Sequence, residues 1–336
     1  MAVSAKDSAH HPTSNSSTAN VLSRWVTHDL GRTHINGVPQ RVVVLNWTQA
    51  EVLLTLDTVP VGVPTLAGYR YWQSNHPPMP TQGVVDIGHR GMPSLQAIAA
   101  LKPDLIIGYR FRHAKLYQQL QAIAPTLIFS QYPSADDPRN YFERMQANFK
   151  TVAEVLGKSS QADTILANMH RDIAAAQQRI VASGRAGEAT LFGKFVGMGM
   201  GLRVYGDQSL AGAIIQRLGL RNAWSDSLPG RDFTHLQLVQ LSQLDNANLI
   251  YVGELHKEGM NIVNSSVWPL LPFVQQQRLY QSPQLWNFGG PVSASRMAAS
   301  FADVLLQPRS ISSVSDMHTH NVGCLLYTSP SPRDRG

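Results

Sequence analysis

The sequence predicts an α/β protein of two Rossmann-like α/β lobes, bridged by a single long α-helix, with a ligand cleft between the lobes. Three observations carry this expectation. Short apolar strand segments alternate with helical segments, and strands alternating with helices give βαβ units and a mostly parallel sheet. The alternation runs through 41–130 and starts again at 189–254. Between the two halves lies one long amphipathic stretch. The length of 336 residues, 43% of them hydrophobic, allows a sizeable core and about two domains.

Residues 1–23 are rich in Ser, Thr, Asn and Ala without periodicity and read as a flexible arm. The N-terminal lobe is assigned to 24–157. In it "RVVVLNW" (41–47) reads as a buried strand and "TQAEVLLTLD" (48–57) as a helix. "VPVGVP" and "VVDIG" are short strands punctuated by Gly and Pro. "SLQAIAALKPDLIIGYR" (94–110) gives a helix, a stop at Pro103 and a buried strand at 105–107; "AKLYQQLQAIAPTLIFS" (114–130) repeats that order. The bridging helix is assigned to 158–184. Ala162, Ile165, Leu166, Met169, Ile173, Ala176 and Ile180 share one helical face, with Ser160 as N-cap and Gly184 as C-cap. At 1.5 Å per residue such a helix spans about 36 Å, enough to brace both lobes.

The C-terminal lobe is assigned to 185–307: "ATLFGKFVG" as a strand, "SLAGAIIQRLGL" as a helix, "LVQLSQLDNANLIYVGE" as a helix and a strand. "LKPDLIIGY" (101–109) and "LDNANLIYVGE" (244–254) follow the same order of leucine, polar turn, buried strand and glycine, as two similar lobes require. Residues 308–336 lack core periodicity, and "CLLYTSPSPRDRG" has the character of translated adapter read-through. That tail is expected to be non-native, which sets aside Cys324, His318 and His320.

Composition excludes several function classes. The net charge is +6, but Lys and Arg are scattered singly with no reader motif, so nucleic acid is not an expected partner. One cysteine permits neither an intrachain disulfide nor a thiolate cluster. No apolar run spans a membrane, and the N-terminal twenty residues lack the apolar core of a secretory signal. The chain is therefore cytoplasmic, or its signal is missing from this sequence. No phosphate loop, H-E-x-x-H or G-x-S-x-G motif is present, so no catalytic residues and no enzyme are expected. "GMGMGL" (197–202) follows a strand but has Leu202 where a dinucleotide loop needs its third glycine; a glycine-rich bend at a cleft or hinge fits better. His34, His113, His170, His235 and His256 show no metal-ligand spacing, so no protein-bound metal is expected.

The aromatic residues are placed unusually. Tyr69, Tyr71 and Trp72 precede "DIGHRG" (86–91); Tyr109, Arg110 and Phe111 follow a strand; Trp224 ends "GLRNAW"; Trp286 and Phe288 sit in "SPQLWNFGGP". Ligands of open α/β sheets bind beyond the carboxyl ends of the strands, where loop aromatics line apolar pockets. Arg90, on the glycine-flanked loop, is either a solvated surface charge or a fork of five N–H donors aimed at an oxygen-rich ligand. His89 beside Asp86 is an acid/base pair by sequence proximity alone.

Taken in order, "YRYW", "PPMP", "VVDIGHRGMPSLQAIAALKPDLIIG", "IAPTLIF", "GLRNAW" and "VWPLLPFVQQQRLYQSPQLWNFGGPVSASR" resemble the substrate-binding proteins that serve ATP-driven importers of iron–siderophores, haem and cobalamin, most of all the ferric hydroxamate-binding branch. The resemblance covers about 41–306. It implies two lobes with a bracing helix, a periplasmic monomer, a ferric hydroxamate siderophore as transported ligand and an inner-membrane ABC permease as partner. Arg90 would donate to the hydroxamate oxygens, Tyr109 would add a hydroxyl bond, and Trp72 and Trp286, with Phe288 beside it, would pack the organic scaffold. No intrinsic cofactor is implied, because six siderophore oxygens already saturate ferric iron. In the chain Arg231 stands where that branch places a further tryptophan after "NAW", a second cation that favours a more acidic or smaller chelate. Gln96 stands where the class docks its permease through an acid, leaving Glu51 or another acid for docking. Haem or cobalamin binding is the alternative within the fold, with Tyr109 as a candidate haem ligand. A nucleotide-binding α/β enzyme built on "GMGMG" is the alternative outside it.

Overall fold

A computed structural model describes residues 23–132, 134, 137–196, 201–228, 230–253 and 263–307. The arm (apart from Ser23), the "GMGM" segment at 197–200, His256 and the 308–336 tail lie outside the described residues.

The first lobe is built on a five-stranded, all-parallel sheet. Its strands are β3 (Val42–Val44), β4 (Gly62–Val63), β5 (Val85–Asp86), β8 (Leu105–Tyr109) and β9 (Thr126–Phe129), in the order β5-β4-β3-β8-β9. β3, β8 and the edge strand β9 are buried along their whole length, as parallel strands covered on both faces must be. A hairpin of β1 (Ser23–His28) and β2 (Gly31–Asn36) precedes the sheet. A small one of β6 (Gly88–His89) and β7 (Met92–Pro93) follows β5.

The second lobe holds β10 (Ala189–Val196), β11 (Gly201–Tyr205), β12 (Arg221–Asn222), β13 (Phe233–Leu236), β14 (Asn248–Val252) and β15 (Leu279–Ser282). The order is β13-β11-β10-β14-β15, with β12 alongside the start of β10. Here β11 and β13 are antiparallel to their neighbours, so this sheet is mixed. β8 and β14 occupy equivalent central positions, each flanked by two parallel strands. Each follows a turn with one left-handed residue, Lys102 (φ 46°) or Asn246 (φ 55°). This is the structural form of the internal likeness between 101–109 and 244–254.

The long helix is α7, Ser159–Ala182, preceded by α6 (Tyr141–Val155). Ala162, Leu166, Met169, Ile173, Ala176 and Ile180 are its buried face; Ile165 is only partly buried. Ser160 lies inside the helix, and Lys158 is the N-cap. The end is a Schellman motif: Gly184 N–H donates to Val181 O and Arg185 N–H to Ile180 O, with Gly184 at φ 74°. Packed along α7 is α11, Pro291–Leu306, the last helix of the described chain.

Candidate functional site

The candidate site forms where loops from the carboxyl ends of both sheets meet. Asn46, two residues past the end of β3, caps helix α1 (Trp47–Thr55) by accepting from Gln49 N–H at 2.9 Å. Trp47 is thereby the first helical residue, its indole N–H donating to Pro64 O at 2.9 Å. A Cβ on Gly68 of helix α2 (Leu66–Trp72) would come within 2.1 Å of that indole, so only glycine lets the ring lie flat there.

"DIGHRG" is the hairpin that presents Arg90. Asp86 accepts from the N–H groups of Thr65 (3.0 Å), Leu66 (2.9 Å) and Gly88 (2.9 Å), tying the loop to the start of α2. These bonds make Asp86 a structural clamp, while His89 is exposed and accepts from Gly91 N–H. Arg90 and Gly91 form the two-residue turn between β6 and β7. Behind the turn, buried His113 accepts from Tyr109 N–H through Nδ1 at 3.0 Å, which leaves Nε2 to donate to Arg90 O at 2.8 Å. Burial lowers the His113 pKa and keeps the imidazole neutral, the form with one donor and one acceptor.

The Arg90 guanidinium stacks over the Trp47 ring at 3.5 Å, with the Trp286 ring 5.7 Å away. Burial, reinforced by the nearby Arg112, lowers its pKa to about 10. A guanidinium stacked by its face keeps its in-plane donors free, and no side-chain hydrogen bond or ion pair occupies them among the described residues. Trp286 reaches across from the second lobe to Trp47 (5.3 Å between ring centroids) and Trp72 (6.1 Å), and packs on its near neighbour Phe288 (5.5 Å). Lys194, on β10, sits 3.8 Å from the Trp72 ring. Trp72, at the end of α2, Arg90, on the β6–β7 turn, and Trp286, on a loop of the second lobe, are thus brought together from both lobes.

From Phe288 the aromatic wall continues to Tyr132 (6.0 Å), then to Phe111 (5.1 Å) and Phe233 (6.4 Å). Arg231 lies over Phe111 at 4.4 Å and Tyr132 at 4.9 Å; Arg203 lies over Phe233 at 4.5 Å. Trp47, Tyr132, Lys194, Arg112 and Arg203 are members of the site that sequence reading does not single out.

A model of the periplasmic binding protein family matches residues 42–284. The chain belongs to that family. Its relatives include the iron(3+)-hydroxamate-binding protein of Escherichia coli, 26% identical over 257 residues that span 76% of this chain and 83% of that one. Another is the Fe(3+) dicitrate-binding periplasmic protein of the same organism, 26% identical over 298 residues, 84% of this chain and 90% of the relative. Among solved structures, the Fe3+–Desferal-bound siderophore-binding protein of Vibrio cholerae matches with a TM-score of 0.73 at 28% identity, covering 80% of this chain and 98% of that chain. The two lobes and long helix are the architecture of this family, whose members are transport components and not enzymes.

Several residues of this periplasmic binding protein lie elsewhere than expected. Tyr109 is buried beneath the wall, its hydroxyl hydrogen-bonded with Thr48 and Tyr141, and burial pushes its pKa up to about 12. A phenol so engaged offers no axial ligand to haem in this conformation. Phe288 is 8% exposed and backs Trp286. Trp224 packs against a separate core cluster of the second lobe that includes Phe195 and Trp268. The dinucleotide reading of "GMGMGL" fails on topology: Gly201 opens strand β11, antiparallel to β10, where a nucleotide loop would open a helix. Glu51 is fully buried and cannot dock a permease, whereas Gln96 is exposed on α3 (Leu95–Ala100). Among the described residues no His/Cys/Asp/Glu group is arranged to hold a metal, and no helix is long and apolar enough to cross a membrane.

Asp232 is buried against this wall, and neither carboxylate oxygen has a hydrogen-bond partner among the described residues. Burial raises its pKa from an ordinary 3.8 to about 7, against the pull of Arg144, Arg203 and Arg231. Between those values the folded protein holds a proton that the unfolded chain has released, so stability falls as pH rises through this window. Asp232→Asn removes the penalty. Urea unfolding at pH 8 is expected to show a gain of about 2–4 kcal/mol over wild type, shrinking toward zero near pH 4. An equal effect at both pH values would refute the assignment.

Proposed function

We propose that the protein is an extracytoplasmic substrate-binding protein that captures ferric siderophores of the hydroxamate class in the inter-lobe cleft and passes them to an ABC permease. The observation that carries this reading is Arg90, stacked on Trp47 beside Trp286 with its edge donors unspent. Tris-hydroxamate iron presents partly anionic oxygens on an apolar scaffold, which matches an arginine fork set among indoles. Iron needs no protein ligand, since the chelate supplies its hard oxygen shell. The iron(3+)-hydroxamate-binding and Fe3+–Desferal-bound relatives support the same class of ligand. In this reading Trp72 and Trp286 contact the scaffold, and Phe288 and Tyr109 hold the wall behind them, while Trp224 belongs to the core of the second lobe.

Trp47, Trp72 and Trp286 make intrinsic fluorescence a direct readout. Titration with ferrichrome or ferrioxamine B is expected to give saturable quenching at micromolar concentrations or below. A panel of ferric hydroxamates that leaves the emission unchanged, with haem binding instead producing a Soret shift, would overturn the reading.

A further inference from the structure

We infer that the cleft discriminates by charge and prefers ferric chelates that carry net negative charge over neutral or cationic ones with the same iron centre. The inference rests on the siderophore-binding reading and names the class of ligand within it.

Four arginines decorate one continuous aromatic wall, two from each lobe. Arg90 stacks on Trp47, Arg112 lies 5.8 Å from the Phe111 ring, Arg203 stacks on Phe233, and Arg231 covers Phe111 and Tyr132. All four act electrostatically on the Tyr132 phenol, at the centre of the group. None has an ion pair with a carboxylate among the described residues. The acid that faces them is Asp232, fully buried, with burial favouring its protonated form. Arg203 donates to His235 at 3.2 Å, a neighbour that burial and the guanidinium itself keep uncharged.

Arginines placed on aromatic faces in a partly desolvated cleft repel one another and attract anions from solution. A neutral tris-hydroxamate complex, in which three unit negative charges cancel Fe3+, answers only the polar part of this field. A chelate with a peripheral carboxylate answers its charge. A pendant ammonium adds to the repulsion.

Derivatives of ferrioxamine B isolate this effect, because its pendant amine lies outside the iron shell. The unmodified complex is a monocation, the N-acetyl form is neutral, and the N-succinyl form is a monoanion. Fluorescence titration at low salt is expected to rank succinyl tighter than acetyl and acetyl tighter than the free amine, with at least tenfold between the extremes. The spread is expected to narrow in 0.5 M NaCl. Exchanging both second-lobe arginines, Arg203→Gln with Arg231→Gln, is expected to compress the series to within about threefold. Equal affinities across the wild-type series, or tighter binding of the cation, would overturn charge selection and leave the hydroxamate reading intact. If no ferrioxamine derivative binds but ferric dicitrate does, the hydroxamate reading falls, and charge selection among chelates of one iron centre falls with it. If none of them binds, both fall.

Discussion

Arg90→Ala is expected to weaken ferric hydroxamate binding about a hundredfold, close to 3 kcal/mol, without loss of fold. The magnitude follows from charge-assisted hydrogen bonds made in a partly desolvated cleft. Folding is spared because the turn is held by its backbone: His113 bonds Arg90 O, and Asp86 anchors the loop to α2. Removing the guanidinium also relieves its repulsion with Arg112. Arg90→Lys is expected to recover little, since an ammonium neither stacks flat on Trp47 nor presents a planar fork. Fluorescence titration measures the affinity, and thermal melting by circular dichroism checks the fold. A variant that binds like wild type would remove Arg90 from the site.

Glu51→Ala is expected to cost about 3–5 kcal/mol of stability, far more than the loss of a solvated surface carboxylate would. Glu51 belongs to α1 of the first lobe but acts on the second. It accepts from Ser293 N–H at 2.9 Å and Ser293 Oγ at 2.7 Å, at the start of α11, and from Gln73 Nε2 at 2.8 Å. It thus serves α11 as a capping acid from another part of the chain, where the helix's own N-cap, Gly290, has no side chain to offer. Truncation leaves buried donors unpaired on both sides of the contact. Burial raises the Glu51 pKa while these bonds pull it down; Glu51→Gln, which keeps an acceptor oxygen, is expected to cost less. Urea denaturation of both variants decides the matter, and an alanine variant of wild-type stability would show that this contact holds nothing together.

Much of the fold is legible in the sequence because local physics determines it. Buried parallel strands appear as apolar runs such as "VVV" and "LII", and the apolar face of α7 has helical spacing that survives into the structure. Other elements carry weaker signals. α6 opens with a capping box, Asn140 and Glu143, which is visible as Asn-x-x-Glu but lacks an obvious apolar run. The antiparallel strand β11 carries Arg203, and Arg231 stands just before its partner β13, at positions where a strand-helix alternation predicts neither strand nor cleft.

The same division holds at the site. "DIGHRG" and the tryptophans stand out because Gly, Arg and Trp in strand-end loops are conspicuous in one dimension. Trp47 does not, since "VVVLNW" reads as a strand running through it, and only the Asn46 cap turns the chain into a helix one residue earlier. Lys194, Arg203 and Tyr132 become neighbours of the first group only when the lobes face each other. Glu51 looks like a surface acid on an amphipathic helix, and its burial is decided by α11, some 240 residues away.

The neutral imidazole of His113 has a consequence for the working cycle of the protein. A carboxylate in its place would neutralise the guanidinium and, having no donor, could not bond the Arg90 carbonyl. The uncharged ring fixes the backbone and leaves the cation intact, with Trp47 already covering its face. Water has therefore left one side of the anchor before any ligand arrives. That unfavourable step occurs once, when the chain folds, and need not recur at each round of capture and release.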